Sequence, residues 1–138
     1  MSIEQNIRTV QAFFAAIGAG DKEVLFALVD PEIEWIIPGD GWPLAGTHRG
    51  HAGLTALLET ASKEMETSFA EPPEYVAQGE RVLVIGTAEG TVTATGKAWV
   101  DNWVFTITVR DGKLTNIREY IDTQALARAS KSAAGPSP

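Results

Sequence analysis

Two carboxylates occupy positions where an apolar strand calls for hydrophobic side chains. In WVDNWVFTITV, residues 99–109, Asp101 lies two residues from Trp99 and two from Trp103; in LTNIREYID, residues 114–122, Glu119 lies two residues from Ile117 and two from Ile121. Alternate residues of a strand share one face. Two carboxyl groups on an apolar face cannot both ionise cheaply, because desolvation and mutual repulsion each raise a pKa. One that keeps its proton near neutrality can serve as an acid while the other serves as a base. Carboxylates near strand ends are also commonly solvated, placed at a subunit interface or tied up in structural ion pairs, so the pairing of the two segments decides the matter.

The connection VRDGKL permits two registers. A two-residue Asp-Gly turn pairs Arg110 with Lys113; a three-residue loop with Gly112 in a G1 bulge pairs Val109 with Lys113. The three-residue register sets Phe105 against Ile117, Trp103 against Glu119 and Asp101 against Ile121. It collects the apolar residues on one face, whereas an unbroken two-residue register sets Phe105 against Arg118. The three-residue register is therefore the expectation, with Asp101 and Glu119 as diagonal neighbours at ~7 Å.

Around this pair the expected substrate-binding wall is Phe14, Trp35, Ile37, Trp42, Trp99, Trp103, Phe105 and Ile121. His48 or Tyr120 is expected to assist Asp101 and Glu119 in proton transfer. Four tryptophans in so small a chain are ordinarily core residues, but they also suit a pocket for a flat apolar ligand. His48 and His51, with Asp40 upstream, have a spacing that can hold a metal. Two histidines at a loop-to-helix junction are commonplace, so no metal and no cofactor are expected. The glycines at 39, 41, 46, 50 and 53 do not fit a phosphate-binding pattern and read as turns.

The elements that must position these residues follow from periodicity. Ser2 and Gln5 have capping-box spacing ahead of an apolar stripe, Ile3, Ile7, Val10, Phe14 and Ile17, which predicts a helix to about Gly18. Asp21 caps a short second helix that stops at Asp30-Pro31. EIEWII, residues 32–37, reads as a strand, and residues 51–67 as a third helix. Segments 75–78, 81–93, 97–109 and 114–122 read as consecutive strands of an antiparallel meander. Helices followed by strands indicate an α+β domain with the helices on one face of a curved sheet.

The chain has 138 residues, enough for one domain, here residues 1–126, with 127–138 expected as a flexible tail. It has no cysteine, which excludes disulfides and thiolate chemistry. A formal charge of −7 with scattered basic residues leaves no nucleic-acid footprint. No apolar run approaches a membrane span, and MSIEQNIRTV has no signal-peptide pattern, so a cytoplasmic protein is expected.

The segments PEIEWIIPGDGWPLAGTHRG and VDNWVFTITVRDGKLTNIREYIDT, together with the helix pair ending at Gly20-Asp21, resemble the nuclear transport factor 2-like superfamily. The likeness is above all to its SnoaL-like polyketide cyclase and ketosteroid isomerase-related branch, over residues 3 to about 126. The resemblance implies a cone-shaped barrel: a curved antiparallel sheet wrapped around three helices from the N-terminal half, enclosing a hydrophobic pocket and often dimerising through its outer face. Glu119 in REYID matches the carboxylate of the RDYFD motif of limonene epoxide hydrolase. Phe105 and Ile37 stand where steroid isomerase has its protonated aspartate and its aspartate base. Trp35 and Ile37 stand where the epoxide hydrolase has a tyrosine and an asparagine.

The expected function is cofactor-independent acid/base chemistry, an isomerase, cyclase or hydrolase reaction, on a small hydrophobic carbonyl- or polyketide-like molecule. The alternatives are a non-catalytic ligand-binding module of the same fold and a purely structural dimer partner.

Overall fold

The computed structural model describes residues 2–69 and 71–131. Helix α1 spans Ile3–Ala19, opened by the expected capping box: the Ser2 hydroxyl accepts from the Gln5 N–H at 3.1 Å, and the Gln5 side-chain Oε1 accepts from the Ser2 N–H at 2.9 Å. Its most buried line is Asn6, Val10, Phe13 and Ala16, so the core-facing side is rotated from the expected stripe. Ile7, Phe14 and Ile17 flank that line, and Ile3 is exposed. Asn6 is a polar residue in this buried row because its amide donates to the Gly79 carbonyl at 3.2 Å, tying α1 to a strand turn. Helix α2, Lys22–Ala27, is capped by Asp21 as expected.

Strand β1 runs Val29–Ile37 and takes in Pro31, which was expected to lie outside it. Its pairing shifts register between Val29 and Glu34, and a proline without an N–H is tolerated at such an irregularity. Strand β2, Gly46–Arg49, replaces the end of an expected loop and forms a hairpin with β1. Helix α3 covers Gly50–Glu64, and the predicted helical residues 65–67 instead belong to β3, Met65–Ser68. Periodicity along the helix cannot disclose that a neighbouring strand edge captures its last residues. Strands β4 (Glu74–Gln78), β5 (Arg81–Val92), β6 (Ala98–Arg110) and β7 (Lys113–Tyr120) follow.

These strands make one curved sheet in the order β2-β1-β7-β6-β5-β3, with β4 also paired to β5. β4 takes the first half of the β5 edge, Arg81–Ile85, and β3 takes the last part, Glu89–Val92. The expected meander is present from β4 to β7. The sheet as a whole corrects the antiparallel expectation at one place, because β1 lies parallel to β7. The long stretch from α3 to β6 serves as the crossover such a pair requires. Helix α4, Thr123–Ser130, corrects the expected tail: Leu126 and Ala129 are buried, while residues 132–138 lie outside the described residues. The fold is thus the α+β cone expected from the sequence, with α1, α2 and α3 inside the curl and α4 across its open end.

The β6–β7 turn has the two-residue form. Asp111 and Gly112 have φ of 52° and 77°, as a type I′ turn demands, and Arg110 pairs with Lys113. A bulge follows at once: Val109 pairs with Leu114 but Thr108 with Asn116, leaving Thr115 without a partner position. From there Ile107 faces Ile117 and Phe105 faces Glu119, so the expected pairs Trp103–Glu119 and Asp101–Ile121 are displaced, and Asp101, four residues from Phe105 on β6, is not the diagonal neighbour of Glu119 that was expected. The observed register and the expected one differ by two residues, an even slip, and the expected sorting of side chains between faces is retained.

Across from Trp99, Asp101 and Trp103 of β6, β5 carries almost no side chains. Gly86 pairs with Trp103, Ala88 with Asp101 and Gly90 with Trp99. A Cβ at Gly86 would fall 2.6 Å from Trp103 Cζ2, and one at Gly90 would fall 1.8 Å from the Glu66 carbonyl oxygen and 2.9 Å from Trp99 Cζ2. Each indole therefore lies over a glycine of the next strand. The Gly90→Ala substitution is expected to destabilise the fold by about 3 kcal/mol, because backbone of β3 has to move. Gly18→Ala, where nothing lies within 4 Å, is expected to stabilise by roughly 0.5–1 kcal/mol. Urea denaturation of the two variants checks this, and a Gly90→Ala protein as stable as the parent contradicts the packing described.

Candidate functional site

The concave side of the sheet and the helices enclose a cavity of about 680 Å³. Its wall draws on every layer. α1 contributes Phe14, β1 contributes Trp35 and Ile37, and the loop after β1 contributes Trp42 and Leu44. α3 adds Leu57, Leu58 and Ala61, and α4 adds Leu126. β6 supplies Trp99, Asp101, Trp103 and Phe105, β7 supplies Glu119, and Ile121 follows it. Apolar side chains dominate because the inward positions of β6 and β7 are read every second residue. The rings pack on one another: Trp103 and Phe105 have centroids 4.9 Å apart, Phe14 and Phe105 5.8 Å, and Trp35 and Phe105 6.3 Å edge-on. Phe69, 61% exposed, meets Trp103 edge-on at 6.2 Å on the rim.

Glu119 is only 8% exposed. One of its oxygens, Oε2, accepts a short hydrogen bond from the Trp35 indole N–H. The parallel pairing explains the contact, since Trp35 pairs with Ile117, two residues from Glu119 on the same face. The other oxygen, Oε1, takes no hydrogen bond from the described residues and is not sealed among them, which leaves it open to the cavity. Burial drives the Glu119 pKa up from its ordinary 4.5 to about 8; the Trp35 N–H opposes the rise and the charge of Asp101 adds to it.

Asp101 is 6% exposed and lies past the end of β7, where the chain turns into α4. Its Oδ1 accepts from the Asp122 backbone N–H at 2.7 Å, and Asp122 in turn caps α4 by accepting from the Ala125 N–H at 2.9 Å. Asp101 Oδ2 takes no hydrogen bond from the described residues and is likewise not sealed. Burial raises the Asp101 pKa, the Asp122 N–H lowers it and the Asp122 charge raises it again. The buried indole N–H of Trp99 has no acceptor among the described residues, so packing over Gly90 holds that ring.

Two expected participants lie elsewhere. Tyr120 follows Glu119 on β7 and therefore points to the outer face, where it is 54% exposed; strand alternation removes it from the cavity. His48 does not line the cavity: its ring Nε2 is bonded to the Leu44 carbonyl at 2.9 Å, which braces the loop that carries Leu44 and Trp42. His51 bonds the Val29 carbonyl at 3.0 Å and stacks on Phe26. All eight expected wall residues and both carboxylates border the one cavity. Sequence reasoning missed Leu126, Asp122 and the Trp35–Glu119 bond. An Asp cap followed by Thr-Gln-Ala-Leu-Ala-Arg-Ala, with Leu126 and Ala129 three apart, was the available signal for α4.

A family model described as the SnoaL-like domain matches residues 10–117. The chain belongs to that family. Among solved structures, this SnoaL-like protein is 61% identical to an NTF2-like protein from Burkholderia xenovorans LB400, with 95% of this chain and 99% of that one covered and a TM-score of 0.93. An NTF2-like protein of unknown function from Burkholderia pseudomallei K96243 is 26% identical, with 96% and 100% covered and a TM-score of 0.81. TerC, co-crystallised with polyporic acid, is 32% identical, with 91% and 98% covered and a TM-score of 0.79. No curated protein matches this SnoaL-like chain. No helix of the described residues is long and apolar enough to cross a membrane.

Because folded Glu119 keeps its proton at pH values where the unfolded chain has released it, folding stability falls as pH rises from about 4.5 to about 8. Glu119→Gln lacks this dependence. Its stability relative to the parent is expected to improve by on the order of 3 kcal/mol between pH 5.5 and 8.5, measured by urea denaturation. Infrared difference spectra between parent and variant are expected to show a protonated carboxyl band vanishing with a midpoint near 8; a midpoint below 6 contradicts the assignment.

Proposed function

We propose that this SnoaL-like protein is a cofactor-independent acid/base enzyme acting on a small hydrophobic carbonyl- or polyketide-like molecule. The observation that carries the reading is the unequal treatment of two carboxyl groups in one apolar cavity. Glu119, its pKa near 8, enters neutral solution carrying a proton, with Oε1 open to the cavity. Asp101 has the weaker shift and an open Oδ2, held in place by the Asp122 N–H. Environments that push two titratable groups apart divide the roles of acid and base between them.

In this mechanism Asp101 takes a proton from the carbon next to the substrate carbonyl as Glu119 delivers its own proton to the carbonyl oxygen, giving an enol. Return of the Asp101 proton to a different carbon isomerises the substrate; alternatively, attack of the enol carbon on a second carbonyl, whose oxygen takes the Asp101 proton and becomes a hydroxyl, closes a ring. Glu119 recovers its proton from the enol oxygen as the product carbonyl re-forms. The apolar wall strengthens these hydrogen bonds by keeping bulk water away. The co-crystallisation of the related TerC with polyporic acid supports a carbonyl compound as ligand. Ile37 and Phe105 are apolar cavity residues, so the acid and base of steroid isomerase have no equivalent at those two positions. Those same two residues favour the second reading, a non-catalytic carrier of such compounds.

Turnover separates the readings. Deuterium exchange into a panel of aromatic and polyketide-type ketones, followed by NMR, is expected to reveal substrates for which Glu119→Gln and Asp101→Asn each lower kcat by roughly 10²–10⁴-fold and change KM only a few-fold. Both variants exchanging at the parental rate would sink the enzyme reading and leave the carrier. We also propose that the protein is a homodimer through the convex side of the sheet, where Ile85, Val104 and Tyr120 form one cross-strand row beside exposed Val76 and Val100. Sedimentation velocity is expected to give twice the chain mass, and Tyr120→Glu to give the monomer.

A further inference from the structure

Trp99, Asp101 and Trp103 alternate along β6 and all border the cavity, so a carboxyl group stands between two indoles on one strand face. Residues four apart on a strand are about 13 Å apart at their Cα atoms. Each ring leans over a glycine, Trp99 over Gly90 and Trp103 over Gly86, and the position facing Asp101 on β5 is only Ala88. The ground between the indoles is therefore left clear of neighbouring side chains, with the open Asp101 Oδ2 at its centre. Glu119, nine-tenths buried, faces the same space with an oxygen that no donor among the described residues satisfies. Among the described residues the cavity wall contains no Lys, Arg or His at all, and its remaining ionisable groups are Glu71 and Tyr75.

A wall of aromatic rings and carboxyl groups without a single cationic side chain has one obvious complement. Ring quadrupoles attract a cation placed within about 6 Å of the ring centroid, more strongly when water is excluded, and a carboxylate left buried without an opposite charge is costly until one is supplied. A small inorganic ion would sit too far from both rings, whereas an alkylated nitrogen has the girth to touch the indoles and the carboxylate together. We propose that the Trp99–Asp101–Trp103 slot binds an organic cation, the protonated amino or quaternary ammonium group of the substrate. The proposal rests on the cavity being the ligand site described above, and it narrows the substrate to an aromatic carbonyl compound that also bears a basic nitrogen. The ion pair then holds the nitrogen against Asp101, beside the carbon whose proton Asp101 takes, and Glu119 keeps its proton for the carbonyl.

Benzyltrimethylammonium and its uncharged isostere neopentylbenzene differ in charge and hardly in shape, so they test the slot without knowledge of the natural substrate. Tryptophan fluorescence and calorimetric titration at pH 7 and low salt are expected to show the ammonium ion binding at least tenfold more tightly than the hydrocarbon. Asp101→Asn retains an oxygen acceptor for the Asp122 N–H and is expected to remove most of that advantage, while altering hydrocarbon affinity less than twofold. Trp99→Leu is expected to reduce it by severalfold. Equal affinities of the parent protein for the two probes, or a preference for the hydrocarbon, overturn the proposal and leave the cavity reading intact. Binding of neither probe overturns both. The comparison on the parent protein alone decides the outcome even if a variant fails to fold.

Discussion

Every second residue of β6 from Trp99 to Val109 is turned toward the concave side, and that alternation is the constraint on which the rest of the molecule depends. It delivers Trp99, Asp101, Trp103 and Phe105 to one cavity and Ile107 and Val109 to the core beneath. The neighbouring strand accommodates them by giving up side chains at Gly86 and Gly90. In the interior of a strand a glycine costs conformational entropy and leaves less to pack; here the two indoles fill the missing volume and anchor the strand pair. The bulky residues and the glycines are thus one feature of the sheet, divided between two strands.

The carboxyl groups are held by different kinds of partner, and this sets their different characters. Glu119 is met by a side chain, Trp35, which supplies one N–H against a large desolvation. Asp101 is met by backbone at the entrance to α4, where Asp122 both donates to it and caps the helix. The helix that lends Leu126 to the cavity wall is fastened through a carboxyl group that itself borders the cavity. Thr95, whose hydroxyl donates to the Ala129 carbonyl at 2.6 Å, fixes the other end of the same helix to the β5–β6 turn.

Much of this was legible in the sequence, because period-two alternation and the Asp-Gly turn are local signals. The inward face of β6, the presence of both carboxyl groups in the cavity, the Ser2 and Asp21 caps and the order of the last four strands all follow from them. The register did not, since two turns fit VRDGKL and nothing local announces a bulge at Thr115; Leu114 and Ile117, both buried though three apart, show it only in hindsight. The parallel contact of β1 with β7 joins residues some eighty positions apart and is invisible to a short window. Tyr120 and His48 were misplaced for opposite reasons. Tyr120 is excluded by the same alternation that admits Glu119, whereas His48 is withdrawn by a carbonyl, that of Leu44, whose position depends on how the loop folds.

The bulge has a consequence for the sign of the cavity. With the Asp111-Gly112 turn and an unbroken ladder, the inward residues of β7 would be Asn116, Arg118 and Tyr120, and Glu119 would face solvent. The single unpaired residue Thr115 reverses that choice for everything downstream of it. Drawing Thr115 into the ladder, far from the cavity and without changing any residue that lines it, would turn Arg118 inward in place of Glu119, whereas deleting Thr115 would leave Thr108 against Asn116 and Glu119 still facing inward. In this fold the polarity of a binding site is encoded by the pairing of residues as much as by their identity.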